Sequence, residues 1–218
     1  MIKNIIFDFG GVLVDWNRHY LYDEYFKTDD ARILFERNTG ICGMSPLGMS
    51  NWFLDNICTL DWNAQMDGGK PLNVGTAELV AKYPEWEKPV RMFFGNWIEM
   101  FHGAVEGMYD ILSDLKAAGY PLYGLSNWSA ETFDKYVGPH FPVFRLLEGM
   151  VVSGHEFCIK PDEKIYRILL NRYNLDPSEC IFIDDSRPNL EGAARLGIRT
   201  YQFTDAASFK SDLPKILA

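Results

Sequence analysis

The chain has 218 residues, of which 47% are hydrophobic and 15% aromatic, so it can bury the core of a globular protein. A formal net charge of −9 and the lack of a basic stripe exclude the usual nucleic-acid-binding surfaces. No apolar run approaches the roughly 18 residues of a membrane helix, and Asp8 interrupts the apolar start where a signal peptide would continue. We therefore expect no nucleic-acid partner and no membrane partner.

The cysteine pattern indicates a cytoplasmic protein. Its four cysteines, Cys42, Cys58, Cys158 and Cys180, lie far apart and form no CxxC pair. They sit within otherwise apolar or helical patterns, which is typical of reduced thiols.

Short apolar runs predict the strands of a buried parallel sheet. The runs are residues 2–7, 121–125, 180–183 and 199–203, with residues 149–153 as a weaker fifth. Between them, residues 105–118 and 162–173 carry apolar side chains at helical spacing. Strands that alternate with helices of this length predict βαβ units, and so an α/β fold with a Rossmann-like, doubly wound parallel sheet.

Residues 16–95 depart from this rhythm, because they show no convincing strand and are rich in tryptophan, glycine and proline. A connection of ~80 residues is far longer than an ordinary βα loop. We therefore expect two domains, a Rossmann-like core of residues 1–15 and 96–218 and an inserted helical unit of residues 16–95.

Polar residues follow the predicted strands where each strand ends, or precede the helix that leads into the next strand. In chain order they are Asp8, Ser126, Asn127, Lys160, Asp184 and Asp185. Ligands of open α/β sheets bind outside the carboxyl ends of the strands, so we expect these residues to share one edge. Clustered carboxylates repel each other, and an all-oxygen set suits Mg²⁺. A bound cation and Lys160 would let an acidic protein accept an anion such as phosphate, with Ser126 and helix N–H groups as further donors.

Each residue on its own also fits a purely structural role. The aspartates and the Ser126-Asn127 pair could cap turns or helices, and Lys160 alone is typical of a solvated lysine. Their joint placement at one predicted sheet edge favours the functional interpretation.

Four stretches resemble, in order, the four motifs of the haloacid dehalogenase superfamily. They are residues 8–14 (DFGGVLV), 125–127 (LSN), 160–161 (KP) and 183–185 (IDD). The resemblance covers essentially the whole chain. The insert resembles the helical cap of subclass I members, and residues 184–193 resemble the sugar-phosphate phosphatase branch.

The resemblance implies a Mg²⁺-dependent phosphatase that hydrolyses small phosphomonoesters, such as sugar phosphates, through an aspartyl-phosphate. Asp8 would be the nucleophile, and Lys160 would counter its charge. The residues implied for the substrate are Ser126, Asn127 and Lys160, and those implied for the metal are Asp8, Gly10 through its carbonyl, and one or both of Asp184 and Asp185.

One position departs from the family pattern. Most phosphatases of this superfamily carry a second aspartate two residues after the nucleophile, which protonates the leaving oxygen, and here that position is Gly10. A well-placed proton donor contributes roughly 10²- to 10⁴-fold. Three explanations remain open: an acidic leaving group such as that of a sugar 1-phosphate, a proton from a water or from Asp15, His19 or Asp67, or a protein that binds its ligand with little or no turnover.

A 2-haloacid dehalogenase is the main alternative, because those enzymes also use an aspartate nucleophile and lack the second aspartate. They need no metal, however, and the paired carboxylates at 184–185 would be costly without a cation. Arg37 in the insert would be the anion-binding residue of that reaction, although a surface arginine is commoner. Trp16 and Trp128 flank the predicted site, where a tryptophan can line a pocket but more often packs in a core.

Overall fold

The computed structural model describes residues 1–138 and 140–217. The strands in them are β1 (Asn4–Phe7), β2 (Val14–Trp16), β3 (Phe101–Ala104), β4 (Leu122–Ser126), β5 (Gly149–Val152), β6 (Cys180–Asp184) and β7 (Arg199–Gln202). The α-helices are α1 (His19–Tyr25), α2 (Asp29–Thr39), α3 (Pro46–Asn56), α4 (Leu60–Asp67), α5 (Leu72–Lys82), α6 (Glu87–Gly95), α7 (Met108–Ala117), α8 (Ala130–Thr132), α9 (Ser153–Glu156), α10 (Glu163–Arg172), α11 (Arg187–Ala194) and α12 (Ala206–Ile216).

A five-stranded parallel sheet carries the fold, in the order β5-β4-β1-β6-β7. At its centre, Ile5 pairs with Leu122 of β4 on one side and with Ile181 of β6 on the other. Strands β4 and β6 are buried along their whole length, which is why they are apolar without alternation. The predicted α/β fold is confirmed, and the weaker fifth run forms the edge strand β5.

Local capping explains where one predicted helix differs. Helix α10 begins at Glu163, one residue after the start of the predicted segment 162–173, because Asp162 is its N-cap and its side chain accepts a hydrogen bond from the Lys164 N–H (2.9 Å). Strands β2 and β3 form a separate two-stranded sheet that the sequence did not predict, and β2 includes Trp16.

The chain forms two compact units. The sheet unit comprises residues 1–15, 67–69 and 103 onward, and the helical unit comprises residues 16–66 and 70–102. The helical unit thus extends past the predicted boundary at residue 95, because Trp97 packs on Phe93 and Phe94 with ring centroids 5.6 and 5.4 Å apart. Residues 67–69 belong to the sheet unit, although the prediction placed them in the insert.

Each unit has its own apolar core. In the sheet unit, Tyr166 of α10 packs edge-on against Phe182 of β6 (5.9 Å between centroids), and Phe7 of β1 against Phe209 of α12 (6.0 Å). In the helical unit, fully buried aromatic rings surround Phe53 and Trp86, whose centroids are 5.4 Å apart. No helix among the described residues is both long and apolar enough to cross a bilayer.

Candidate active site

Asp8 is held at the carboxyl end of the central strand by a tight turn. Its N–H donates to the carbonyl of Ile183 in β6 (2.9 Å). The carbonyl of the next residue, Phe9, accepts the N–H groups of Val12, Leu13 and Val14 at 3.2, 2.8 and 2.9 Å. These bonds fold the glycine-containing loop back on itself. Asp8 is 7% exposed and therefore lies at the sheet edge in a largely buried position.

Lys160 is a buried cation at the same edge, only 2% exposed. Its ammonium donates to the Leu125 carbonyl (3.0 Å) and to Asp184 Oδ2 (2.7 Å). It also lies 2.8 Å from Asp8 Oδ1, in an ion pair that is not aligned as a hydrogen bond. Burial alone would lower the pKa of Lys160, but the two carboxylates outweigh burial and raise it. Lys160 is therefore a permanent positive charge between two aspartates.

The backbone of Lys160 is fixed by Asn127. The Asn127 side-chain amide donates to the Lys160 carbonyl (2.9 Å), and its Oδ1 accepts the Lys160 N–H (2.7 Å). Ser126, the residue before it, ends β4 next to β1 and is 2% exposed. The last residue of β4 thus places a hydroxyl at the carboxyl end of the sheet, and the next residue holds the backbone of Lys160.

Asp184 ends β6 and is fully buried. Besides the Lys160 ammonium, its carboxylate accepts the Ser186 N–H (2.7 Å) and the side-chain amide of Asn189 (3.2 and 3.1 Å to its two oxygens). Sequence reasoning gave Asn189 no role, although its place five residues after Asp184, in the first turn of α11, was a usable signal. These donors orient the Asp184 carboxylate.

Asp8, Asp184 and Asp185 can each offer one oxygen, and these three oxygens lie within 4.8 Å of one another. Gly11 makes room for the third carboxylate: it has a φ of +77°, and a Cβ there would lie 2.6 Å from Asp185 Oδ2. Such an all-oxygen set suits a hard cation such as Mg²⁺. The predicted residues are therefore brought together in a cluster that could hold one.

The charges in this cluster oppose each other. The pKa of Asp8 is raised to about 7, mainly by burial; Lys160 opposes this rise, and Asp184 and Asp185 add to it. Burial and Asp184 also raise the pKa of Asp185. A bound cation would relieve both costs, so the electrostatics fit Mg²⁺ as well as the donor set does.

The missing second aspartate leaves a space next to Trp128. A Cβ at Gly10 would meet the Trp128 ring at 3.6 Å, an ordinary van der Waals distance. Trp128 is only 4% exposed, and because its ring lies beside Gly10 it flanks the candidate site. Trp16 instead packs on Trp97 in the helical unit, with ring centroids 5.5 Å apart.

The other candidates have varied surroundings. The His19 ring contacts Asp23 Oδ1 at 3.2 Å and the Ser50 hydroxyl at 3.4 Å, all within the helical unit. Arg37 is exposed in the last turn of α2. Asp15 lies in β2 and is half-buried. Asp67, like Asp15, belongs to the sheet unit with Asp8.

Comparison with known proteins agrees with the motifs. The model of the haloacid dehalogenase-like hydrolase family matches residues 2–197. A D-ribitol-5-phosphate phosphatase from Bacteroides thetaiotaomicron is 24% identical over 100% of this chain and 99% of its own. A sesquiterpene phosphatase from Aspergillus oryzae is 27% identical over 99% of this chain and 96% of its own.

A solved structure extends the likeness to three dimensions. It is a HAD family enzyme from Bacteroides thetaiotaomicron, a wild-type protein in complex with magnesium and inorganic phosphate. It is 25% identical to this chain, covers 94% of it and 96% of its own length, and gives a TM-score of 0.63. The resemblance drawn from the four motifs is thus confirmed, and the chain belongs to the haloacid dehalogenase-like hydrolase family.

Proposed function

We propose that this protein is a Mg²⁺-dependent phosphatase that hydrolyses small phosphomonoesters, with sugar phosphates among the candidates, through an aspartyl-phosphate. The observation that carries the proposal is the cluster of Asp8, Asp184 and Asp185 around the buried Lys160. Two relatives that match almost the whole chain are named as phosphatases, which supports the same reaction class.

Asp8 is the nucleophile of the proposed reaction. One of its carboxylate oxygens attacks phosphorus, and the bond between phosphorus and the leaving oxygen breaks. Water then attacks the phosphorus of the aspartyl-phosphate, releases inorganic phosphate and restores Asp8. The ammonium of Lys160, 2.8 Å away, favours the ionised and nucleophilic form of Asp8 against the effect of burial.

Asp8, the Gly10 carbonyl and Asp185 are the proposed direct ligands of Mg²⁺. Asp184 lies close enough to contribute, but both of its oxygens already accept hydrogen bonds from Lys160, Ser186 or Asn189. When bound, Mg²⁺ offsets the negative charge of the transferring phosphoryl group.

Ser126 and Lys160 are the proposed contacts for the phosphoryl oxygens. Asn127 takes a positioning role in place of the predicted substrate contact, because its amide engages both backbone polar groups of Lys160. A substitution of Asn127 would therefore act through the lysine.

The helical unit is the proposed cap. Caps of this kind exclude water during phosphoryl transfer and discriminate between substrates. We also propose a cytoplasmic location, because the four cysteines are unpaired and a reducing compartment keeps them so.

The test is hydrolysis of an aryl phosphate, a sugar 1-phosphate and a sugar 6-phosphate, with Mg²⁺ and with a chelator. Asp8→Asn should abolish turnover without loss of the folded far-UV spectrum, since the amide has the same shape but is not nucleophilic. Asp110→Asn, on the exposed face of α7, is the matched control. Turnover that survives Asp8→Asn would contradict the proposal. So would metal-independent halide release from a 2-haloacid with no ester hydrolysis.

A further inference from the structure

The site as described contains no evident donor for the leaving oxygen. The Lys160 ammonium donates to Leu125 and Asp184 and forms an ion pair with Asp8. Asp184 is held by its hydrogen-bond donors, and Asp185 is a proposed metal ligand. A side-chain donor would therefore have to be another residue near Asp8.

Asp67 comes from a segment that is packed firmly into the sheet unit. It ends α4, and its carbonyl accepts the hydroxyl of Ser153 (2.5 Å). Two residues further, Gly69 has a φ of +97°, and a Cβ there would lie 2.5 Å from the Phe157 ring. Only glycine fits this approach, so residues 67–69 have a defined position against the start of α9.

The same hydroxyl connects Asp67 to the space beside Gly10. Ser153 Oγ accepts the Trp128 N–H (2.8 Å) while it donates to Asp67, and the Trp128 ring is the group that a Cβ at Gly10 would meet. Asp67 is thus linked through Ser153 to the backbone of Trp128, and Gly10 lies beside the ring of the same residue.

The carboxylate of Asp67 also contacts the turn that follows β4. It accepts the N–H of Ser129, three residues after Ser126, and it lies close enough to Asp8 for their charges to interact. The pKa of Asp67 is raised to about 7, mainly by burial; the Ser129 hydrogen bond opposes this rise, and the charge of Asp8 adds to it. Asp67 can therefore carry a proton near neutral pH.

We propose that Asp67 is the general acid and base of this enzyme, in place of the aspartate that Gly10 replaces. The inference rests on the proposed phosphatase function. As the bond from phosphorus to the leaving oxygen breaks, the Asp67 proton passes to that oxygen and the alcohol leaves. The Asp67 carboxylate then takes a proton from the water that attacks the aspartyl-phosphate, and both carboxyl groups return to their starting state.

This assignment names the substrate class. An enzyme without a proton donor strongly favours esters with acidic leaving groups, whereas one with a donor also hydrolyses unactivated alkyl phosphomonoesters efficiently. We therefore expect esters of primary alcohols, such as sugar 6-phosphates, to be substrates.

The test compares kcat/KM of the wild type and Asp67→Asn across phosphomonoesters from 4-nitrophenyl phosphate to a sugar 6-phosphate. In a two-step reaction this ratio reports the steps up to leaving-group departure. Asp67→Asn should lower it by about 10²- to 10⁴-fold for the alkyl ester and leave the aryl ester almost unchanged. The variant should also show a pre-steady-state burst of nitrophenolate, because breakdown of the aspartyl-phosphate loses its base.

Asn and Ser at position 67 both keep an oxygen acceptor for the Ser129 N–H, so Asp67→Ser is the second variant if Asp67→Asn folds poorly. Asp61 is exposed in the first turn of the same helix, so Asp61→Asn should leave kcat/KM unchanged for both esters. Equal losses of kcat/KM on both ester classes, or no loss on either, would overturn the proposed role of Asp67. Either result would leave the proposed phosphatase function standing. A wild type that hydrolyses no ester with Mg²⁺ would overturn the proposed function and this inference with it.

Discussion

Replacing Asp8 with asparagine should stabilise the metal-free protein near neutral pH. Burial is the main cause that raises the pKa of Asp8 from its ordinary 3.8 to about 7, so the folded state disfavours the ionised carboxyl. Relative to the unfolded chain, the stability from this group is fully present below about pH 4 and is lost as the pH rises through about 7. At about 1.4 kcal/mol per pH unit, that difference corresponds to a loss of up to roughly 4 kcal/mol at pH 8. Asparagine has the same shape and no charge, so it avoids this loss.

Urea unfolding in chelator between pH 5 and pH 8 measures the effect. The free energy of unfolding of the wild type should fall as the pH rises. In Asp8→Asn this fall should be smaller by the contribution of the Asp8 carboxyl. A residual fall is expected from Asp67 and Asp185, whose pKa values are also raised. Mg²⁺ at pH 8 should stabilise the wild type more than the variant. Parallel pH profiles, or a variant less stable than the wild type at pH 8, would refute the reasoning; Asp110→Asn should follow the wild type.

Two further predictions concern the metal and the missing carboxyl. Asp185→Ala should weaken Mg²⁺ binding by about tenfold or more, measured by calorimetric titration at fixed pH, and an unchanged affinity would remove Asp185 from the ligands. Gly10→Asp in the Asp67→Asn background should restore part of the lost alkyl-ester hydrolysis, because a Cβ at Gly10 meets the Trp128 ring only at van der Waals distance. No recovery in the same kcat/KM series would show that the ring prevents the new carboxyl from reaching the leaving oxygen.

The sequence was informative wherever burial alone decides the pattern. Strands β1, β4 and β6 are covered on both faces, so they read as continuous apolar runs, and the polar residues that follow them marked the sheet edge. Strand β3 was missed because none of its four residues is buried and Gly103 interrupts it, so the sequence shows no apolar run there.

The parts of the site that depend on distant contacts could not be predicted. Asp67 was one of several candidates, because its place depends on Ser153, 86 residues away. Ser129 and Asn189 act through hydrogen bonds to the carboxylates of other candidates, and such bonds leave no periodic signal. The positioning role of Asn127 likewise requires knowing that its amide faces the Lys160 backbone.

The central place of β1 has a consequence for folding. This strand is synthesised first, but its neighbours β4 and β6 begin at Leu122 and Cys180. The nascent chain therefore carries β1 without either neighbour until β4 has been made, and with only one until β6 has been made, while the contacts of the helical unit are closer together in sequence. Strands this far apart in sequence pair slowly, and until they pair their unpaired edges are prone to aggregation. We expect ribosome-bound chains that stop before β4 to hold a structured helical unit and an N-terminal strand that chaperones recognise, with Asp8 in place only after β6 has emerged.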